Sequence, residues 1–191
     1  MIRGWVVIKK EVSEYKKAYD NPIPMENLAF YFSHYNCKIK GQGKELELFK
    51  IRDPVTGLWD RNLFLHILDY KIWEIKANKD SRERFALLIL ALNEFVEIKE
   101  ALGQATGDRI IEEFGLKLKE KVGDQDIVAR FAEDEFAILI PHIDNTRELK
   151  KMVDEILVDL NSSFIIDDEE FQITTSIGVA IYPDDGIDST S

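Results

Sequence analysis

Two adjacent carboxylates, Asp134 and Glu135, are the residues of this sequence whose types and spacing are best suited to chemistry. They follow Arg130 and lie between two short apolar runs, residues 127–129 and 136–140. This pattern predicts a β-hairpin whose tight turn presents both carboxylates. Carboxylate oxygens bind hard cations, so any metal held here would be a hard, oxygen-ligated ion. A solvated acidic turn is the alternative interpretation of the same residues.

The sulfur and imidazole ligands of the chain argue against other metal chemistry. The three histidines are scattered and Cys37 is the single cysteine, so the spacing of a zinc site is missing. One cysteine also excludes an intrachain disulfide framework and suits a reducing compartment, which predicts a cytoplasmic protein. No apolar run approaches the roughly 20 residues that span a bilayer. Since the first residues also lack the pattern of a signal peptide, we expect no membrane segment.

Charge divides the chain of 191 residues into two parts. The net charge of −11 argues against nonspecific binding to nucleic acid or to anionic membranes. Residues 1–50 contain nine lysines and arginines against six acidic residues, a surplus of three, so that residues 51–191 carry −14. This asymmetry predicts a main domain over 51–191, and over 1–50 an N-terminal extension or the tail of an upstream sensory module. Ordinary scatter of surface charge is the alternative.

The main segment predicts alternating helices and strands. Asp60 or Asn62 is expected to cap a first helix whose apolar residues share one face. A continuous apolar run over 85–92 has the length of a central buried strand. The other predicted elements are helices over 93–102, 105–122 and 145–161, the hairpin over 127–140, and strands over 164–166, 171–174 and 176–182. The order is a β-α-α-β-β-α-β core with a small added hairpin, an α/β fold in which helices flank one sheet.

Three separated motifs resemble those of the GGDEF family, the diguanylate cyclases. Residues 53–61 are similar to the family's Asp-x-Leu-Thr-Gly-Leu-x-Asn-Arg motif, and residues 93–108 to the segment after its central strand. The hairpin at 130–136, followed by 176–183, is similar to the signature hairpin and a later strand. The resemblance covers residues 53–191 and implies the nucleotide-cyclase-like fold, a palm or ferredoxin-like sheet. It also implies an activity that joins two GTP molecules into cyclic di-GMP by phosphoryl transfer with Mg²⁺.

The resemblance assigns roles to individual positions of this chain. The metal and catalytic positions are Asp134, Glu135 and the main-chain carbonyl of Leu92, and the nucleotide-binding positions are Phe95, Lys99 and Asp108. At one of these, Lys99, the family has an asparagine that contacts guanine. Lysine can only donate hydrogen bonds, whereas an asparagine side chain both donates and accepts them.

Other positions depart further from the family's pattern. Ala91 stands where a metal carboxylate ends the central strand, and Val96 stands where a lysine meets phosphate. Ala132 and Glu133 replace two glycines of the hairpin. Glycine permits positive φ and lets phosphate oxygens approach backbone N–H groups, so both changes oppose triphosphate binding. Gly123 replaces the arginine of the family's product-inhibition site, and we therefore expect no inhibitory binding of cyclic di-GMP there.

These departures predict a catalytically degenerate GGDEF domain with a regulatory, nucleotide-sensing or dimerisation role in cyclic di-GMP signalling. An active diguanylate cyclase with an unorthodox metal site is the alternative. The resemblance implies GTP or another guanine nucleotide as ligand, weak Mg²⁺ binding at most, and a second copy of the chain in a homodimer. The 182–186 ending resembles GGDEF domains fused to an EAL phosphodiesterase domain. The family's C-terminal helix is missing before Ser191, which predicts either a truncated chain or a protein that has dispensed with this helix.

Overall fold

The computed structural model describes residues 52–78, 82–161, 163–166 and 169–186. The extension predicted over residues 1–50 lies outside the described residues. None of the helices in the described ranges has both the length and the apolar character needed to cross a bilayer.

Helices and strands alternate along the described part of the chain. The helices are α1 (Arg61–Ala77), α2 (Phe95–Leu102), α3 (Gln104–Lys121) and α4 (Thr146–Leu160). The strands are β1 (Trp59–Asp60), β2 (Phe85–Leu92), β3 (Ile127–Arg130), β4 (Glu135–Ile140), β5 (Phe164–Ile166), β6 (Glu169–Phe171) and β7 (Thr175–Tyr182). From β2 to β7 this is the predicted β-α-α-β-β-α-β order with an added hairpin, so the predicted α/β fold is confirmed.

Five strands form one sheet in the order β1-β3-β4-β2-β7. The short edge strand β1 runs parallel to β3, and the other neighbours are antiparallel. The central strand β2 is flanked by β4 and β7 over most of its length, which explains why its sequence is apolar without interruption. Strands β5 and β6 form a separate two-stranded hairpin.

Both faces of the sheet are covered, because alternate residues of a strand point to opposite sides. On one face, Leu88 and Leu90 belong to a core completed by α3, α4 and Phe164 of β5. On the other face, Leu87 packs with the apolar residues of α1. The polar ends of the strands therefore remain as the accessible part of the sheet, and β2, β4 and β7 meet at one such end.

Two local features differ from or sharpen the sequence predictions. Asp60 caps α1, since its carboxylate accepts a hydrogen bond from the Leu63 N–H at 2.8 Å. The strand predicted over 171–174 is wrong beyond Phe171, which pairs with Phe164 at the start of β5. The β-forming composition of this stretch predicts an extended backbone, but the three-residue β5 offers a partner to only part of it.

Candidate functional site

The carboxylate pair lies on a hairpin, as the sequence predicts. Arg130 pairs with Phe136 at the last rung of β3 and β4. The turn closes where the main-chain N–H groups of Phe131 and Ala132 both donate to the Glu135 carbonyl, at 2.7 and 3.1 Å. The turn leaves Ala132 exposed and holds Glu135 half-buried at the start of β4. The acidic residues are therefore presented on a rigid element rather than a loose loop.

The turn is attached to the end of the central strand. The Leu92 N–H donates to the Asp134 carbonyl at 3.0 Å, and Ala91 pairs with Glu135 on one side and with Ser176 on the other. The fold thus brings together Leu92, Asp134 and Glu135, the three positions predicted to contact a metal. Cross-strand partners point to the same face of a sheet, so the Ala91 methyl lies on the face of the Glu135 side chain.

The base of the hairpin is joined to the loop of residues 53–58, here called the Asp53 loop. Arg130 Nη1 contacts both carboxylate oxygens of Asp53 at 3.3 Å, and its Nη2 donates to the Glu133 carbonyl at 2.8 Å. Asp53 also accepts from the N–H and the hydroxyl of Thr56, both at 2.8 Å. One guanidinium therefore fixes the turn against a capped loop, and these residues have a structural role.

The tip of the hairpin is joined to α2 by a second ion pair. The Lys99 ammonium contacts the Glu133 carboxylate. The aliphatic part of Lys99 lies against Gly107 of α3, where an added Cβ would stand 2.8 Å from Lys99 Cγ. Sequence reasoning treats Lys99 and Glu133 as two separate departures from the family. Their opposite charges are the only sequence signal that they could interact, and the fold brings them into contact.

The other predicted nucleotide-binding positions lie on both sides of Lys99. Phe95, at the start of α2, is 2% exposed and belongs to the core, so a contact with a nucleotide would have to come from its main chain. Asp108 is half-buried on α3 and accepts a hydrogen bond from Gln104 Nε2 at 2.7 Å. Asp108 thus retains a carboxylate suited to the N–H donors of a purine edge.

A network of side-chain hydrogen bonds, which the sequence did not predict, joins the ends of β2 and β7. The Asn93 amide donates to the Thr174 hydroxyl at 2.9 Å and accepts from the Ser176 hydroxyl at 3.0 Å. The next residue, Glu94, has φ 58° and ψ 21°, a left-handed conformation. Helix α2 consequently begins at Phe95 rather than at residue 93. An asparagine directly after a strand is the sequence signal for a turn at this point, since asparagine side chains often hydrogen-bond in turns.

The position of the lost product-inhibition arginine is used for a turn. The Gly123 N–H donates to the Asp126 carboxylate at 2.7 Å. Burial raises the pKa of the Asp126 carboxyl above its ordinary value, although this hydrogen bond acts in the opposite direction. The carboxylate is therefore held by the main chain of its own turn.

The positions predicted to contact a metal offer two carboxylates and one main-chain carbonyl. Within the described ranges, no group of three or more histidine, cysteine, aspartate or glutamate residues is placed to hold a metal ion. Asp134 and Glu135 supply two carboxylates, and the Ala91 methyl supplies no ligand at the end of β2. Mg²⁺ is commonly held by one or two carboxylates together with waters and substrate phosphates, so Asp134 and Glu135 are the side chains here that could hold it.

Comparisons with known proteins agree with the fold. A family model described as diguanylate cyclase, GGDEF domain, matches residues 50–191. Two relatives in Pseudomonas aeruginosa are similar. The bifunctional diguanylate cyclase/cyclic di-GMP phosphodiesterase MucR is 31% identical over 143 residues, which are 75% of this chain and 20% of MucR. The cyclic di-GMP phosphodiesterase NbdA is 29% identical over 141 residues, 70% of this chain and 17% of NbdA.

A solved structure is similar over most of the described domain. The isolated GGDEF domain of TpbB from Pseudomonas aeruginosa superposes with a TM-score of 0.65 at 25% identity, covering 73% of this chain and 81% of that one. This chain spans about a fifth of the length of MucR and less than that of NbdA.

Proposed function

Since the chain belongs to the GGDEF family, whose model matches residues 50–191, we propose that it is a catalytically degenerate member with a regulatory role in cyclic di-GMP signalling. Its relatives MucR and NbdA are named for the synthesis or hydrolysis of cyclic di-GMP. The proposed role is that of a sensing or interaction module, in which a weakly bound guanine nucleotide or a second copy of the domain carries the signal.

The observation that carries this proposal is the pairing of Ala91 with Glu135 at the end of β2. Cyclases of this family use Mg²⁺, and the end of the central strand is where a third carboxylate would complete the set with Asp134 and Glu135. A methyl group there removes a ligand that main-chain shifts do not replace, because β2 is held by hydrogen bonds to both neighbouring strands. Cyclization of GTP is therefore expected to be lost or very slow.

Charge at the hairpin tip supports the same conclusion. The Glu133 carboxylate occupies a position that is glycine in the family. A carboxylate about 5 Å from a phosphate charge costs on the order of 3 kcal/mol at an effective dielectric near 20. The ion pair with Lys99 and solvent screening at the exposed tip reduce this cost, so we expect Glu133 to weaken triphosphate binding on the order of tenfold.

The relatives' lengths suggest where such a module acts. MucR and NbdA are several times longer than this chain, and both are named as phosphodiesterases. We propose that this domain modulates a fused or partner phosphodiesterase domain of the EAL type. A homodimer is proposed as well, because membership of the GGDEF family implies a second copy of the chain as partner. Size-exclusion chromatography with light scattering tests the dimer, and a strictly monomeric chain at high concentration would contradict it.

An assay of GTP turnover tests the loss of catalysis. The purified chain is incubated with GTP and either Mg²⁺ or Mn²⁺, and the products are separated by chromatography, with the TpbB GGDEF domain run in parallel under the same conditions. We expect no cyclic di-GMP from this chain. Its formation in stoichiometric excess over protein would overturn the proposal and establish the chain as an active cyclase.

A calorimetric titration with GTP separates the two proposed roles. Binding that depends on Mg²⁺ supports a nucleotide sensor that has lost turnover, and binding that does not need Mg²⁺ supports recognition through Asp108 and Lys99 alone. The absence of binding at millimolar GTP supports a purely protein-binding module.

A further inference from the structure

We infer that Lys99 and Glu133 form a clamp that joins α2 to the hairpin and competes directly with a nucleotide. This inference rests on the proposed function, because it concerns the same predicted nucleotide-binding positions. The two residues replace the family's guanine-contacting asparagine and one of its two hairpin glycines, and they lie 34 positions apart in the chain. Because the two side chains are in contact, the charge of each residue compensates the charge of the other.

The aliphatic part of Lys99 is positioned by α3. Its Cγ lies where only a glycine at position 107 leaves room, since a Cβ on Gly107 would approach it to 2.8 Å. The side chain therefore runs across the first turns of α3, next to Asp108, and carries its ammonium to the hairpin. A nucleotide base placed between Asp108 and the turn would have to displace this side chain.

The main chain of the turn is held at two of its carbonyl groups. The Glu133 carbonyl accepts from Arg130 Nη2 at 2.8 Å, and the Asp134 carbonyl accepts from the Leu92 N–H at 3.0 Å. With its backbone held on both sides, Glu133 presents its carboxylate to Lys99 at little further cost in conformational entropy. The Glu133 carboxylate therefore competes with any ligand group that would bind the Lys99 ammonium.

Charge explains why the two residues occur together. Residues 133–135 place three carboxylates in succession, and repulsion among them would destabilise the turn. Lys99 compensates one of these charges. A phosphate or a guanine carbonyl has to outcompete an intramolecular carboxylate whose effective concentration is on the order of millimolar. The clamp therefore lowers the affinity for a nucleotide by the factor by which the closed pair is favoured, which is a few-fold for a partly exposed ion pair.

A double-mutant cycle on the full chain tests the clamp. The variants are Lys99→Met, Glu133→Gln and the two combined, which remove charge while keeping side-chain size. The first readout is amide hydrogen exchange at residues 132–134 without any nucleotide. Each single variant is expected to speed exchange about three- to fivefold, with no further increase in the double variant, as for a single partly exposed ion pair. Strictly multiplicative effects of the two substitutions would overturn the clamp.

The second readout is the affinity for Mg²⁺–GTP measured by calorimetry. Glu133→Gln is expected to tighten binding on the order of tenfold, because it removes repulsion and releases Lys99. Lys99→Met should then abolish much of that gain in the Glu133→Gln background and change affinity by less than about threefold in the parent background. An equal effect of Lys99→Met in both backgrounds would overturn the inference.

Control variants separate the clamp from general changes in surface charge. Lys150 and Asp154 form an exposed ion pair on α4. Lys150→Met and Asp154→Asn remove this pair and are expected to leave both readouts unchanged.

The outcomes also separate this inference from the proposed function. Formation of cyclic di-GMP by the parent chain would overturn the proposed loss of catalysis. The double-mutant cycle measured by hydrogen exchange would still decide whether Lys99 and Glu133 form the clamp. If none of the variants binds GTP, the exchange cycle alone decides whether the clamp exists, and independent effects of the two substitutions refute it.

Discussion

The hairpin carries one ion pair at its base and one at its tip, and the two are held very differently. At the base, the side chains of Arg130 and Asp53 are 13% and 15% exposed, and both are also hydrogen-bonded to neighbouring groups of the turn and the Asp53 loop. At the tip, the side chains of Lys99 and Glu133 are 22% and 53% exposed. The base pair lies in a motif that matches the family, whereas both tip residues depart from it.

This difference separates structural residues from residues that we propose act on a ligand. Breaking a shielded pair leaves a charge without compensation, so the base pair is expected to be important for stability. An exposed pair contributes little to stability because water screens it. Substitutions of the charged residues at the tip are therefore expected to leave the fold intact.

Asp53→Ala is expected to have the largest effect on stability. It leaves Arg130 without its carboxylate and removes the acceptor for the Thr56 N–H. We expect the free energy of unfolding to fall by about 2–3 kcal/mol, measured by urea denaturation. Asp154→Ala, which breaks an exposed pair on α4, is the matched control and should change it by less than about 0.5 kcal/mol. Similar losses of unfolding free energy in both variants would show that the base pair stabilises the fold no more than an exposed pair does.

Ala91→Asp combined with Glu133→Gly tests whether the metal and phosphate contacts expected at the hairpin can be restored. The first substitution places a carboxylate beside Glu135, and the second removes the charge that opposes phosphate. Together they are expected to tighten Mg²⁺-dependent GTP binding about a hundredfold, measured by calorimetry. Ala91→Asn, which fits the same space with weaker metal affinity, is the control. A gain of the same size with Ala91→Asn would show that metal ligation at position 91 is not the cause.

Gly107→Ala tests the tip without changing any charge. The added methyl forces Lys99 to move, since it would approach Lys99 Cγ to 2.8 Å. Exchange at residues 132–134 is expected to rise about threefold. Overall stability should change by less than about 1 kcal/mol, because alanine also favours the helix over glycine. In a Lys99→Met background, Gly107→Ala should have no effect on exchange at residues 132–134. If the faster exchange persisted there, its cause would be a change in α3 rather than the loss of the clamp.

Asp126→Asn gives the smallest expected effect and tests a carboxylate that is held by a main-chain N–H. Because burial raises the pKa of Asp126 in the folded chain, the native state holds its proton more tightly than the unfolded state. This contribution to stability is present at low pH and is lost as the pH rises through the window between the ordinary and the raised pKa. At pH 7 the variant should match or exceed the parent by up to about 1 kcal/mol.

Urea midpoints of the parent and of Asp126→Asn across pH 3.5 to 7 check this sign, since the difference should grow with pH. A constant difference over the whole range would mean that the ionisation of Asp126 does not affect folding.

Much of the fold follows from short stretches of sequence. Apolar periodicity predicts the helices and the central strand, Asp60 marks the start of α1, and the alternation around residues 130–136 predicts the hairpin. Composition also predicts too much strand beyond Phe171. Such signals depend on contacts within one turn or one strand, which neighbouring residues determine by themselves.

The candidate site is only partly determined in this way. The sequence alone establishes that Asp134 and Glu135 are present and that position 91 is an alanine. Only the tertiary structure decides that Lys99 meets Glu133 across 34 residues and that Asn93 meets Thr174 across 81. These contacts depend on how the sheet brings the end of β2 to the hairpin and to β7, and local propensity carries no information about distances between residues so far apart in the chain. The sequence therefore identifies the hairpin and the residues it has lost, and the fold determines which of the new residues act together.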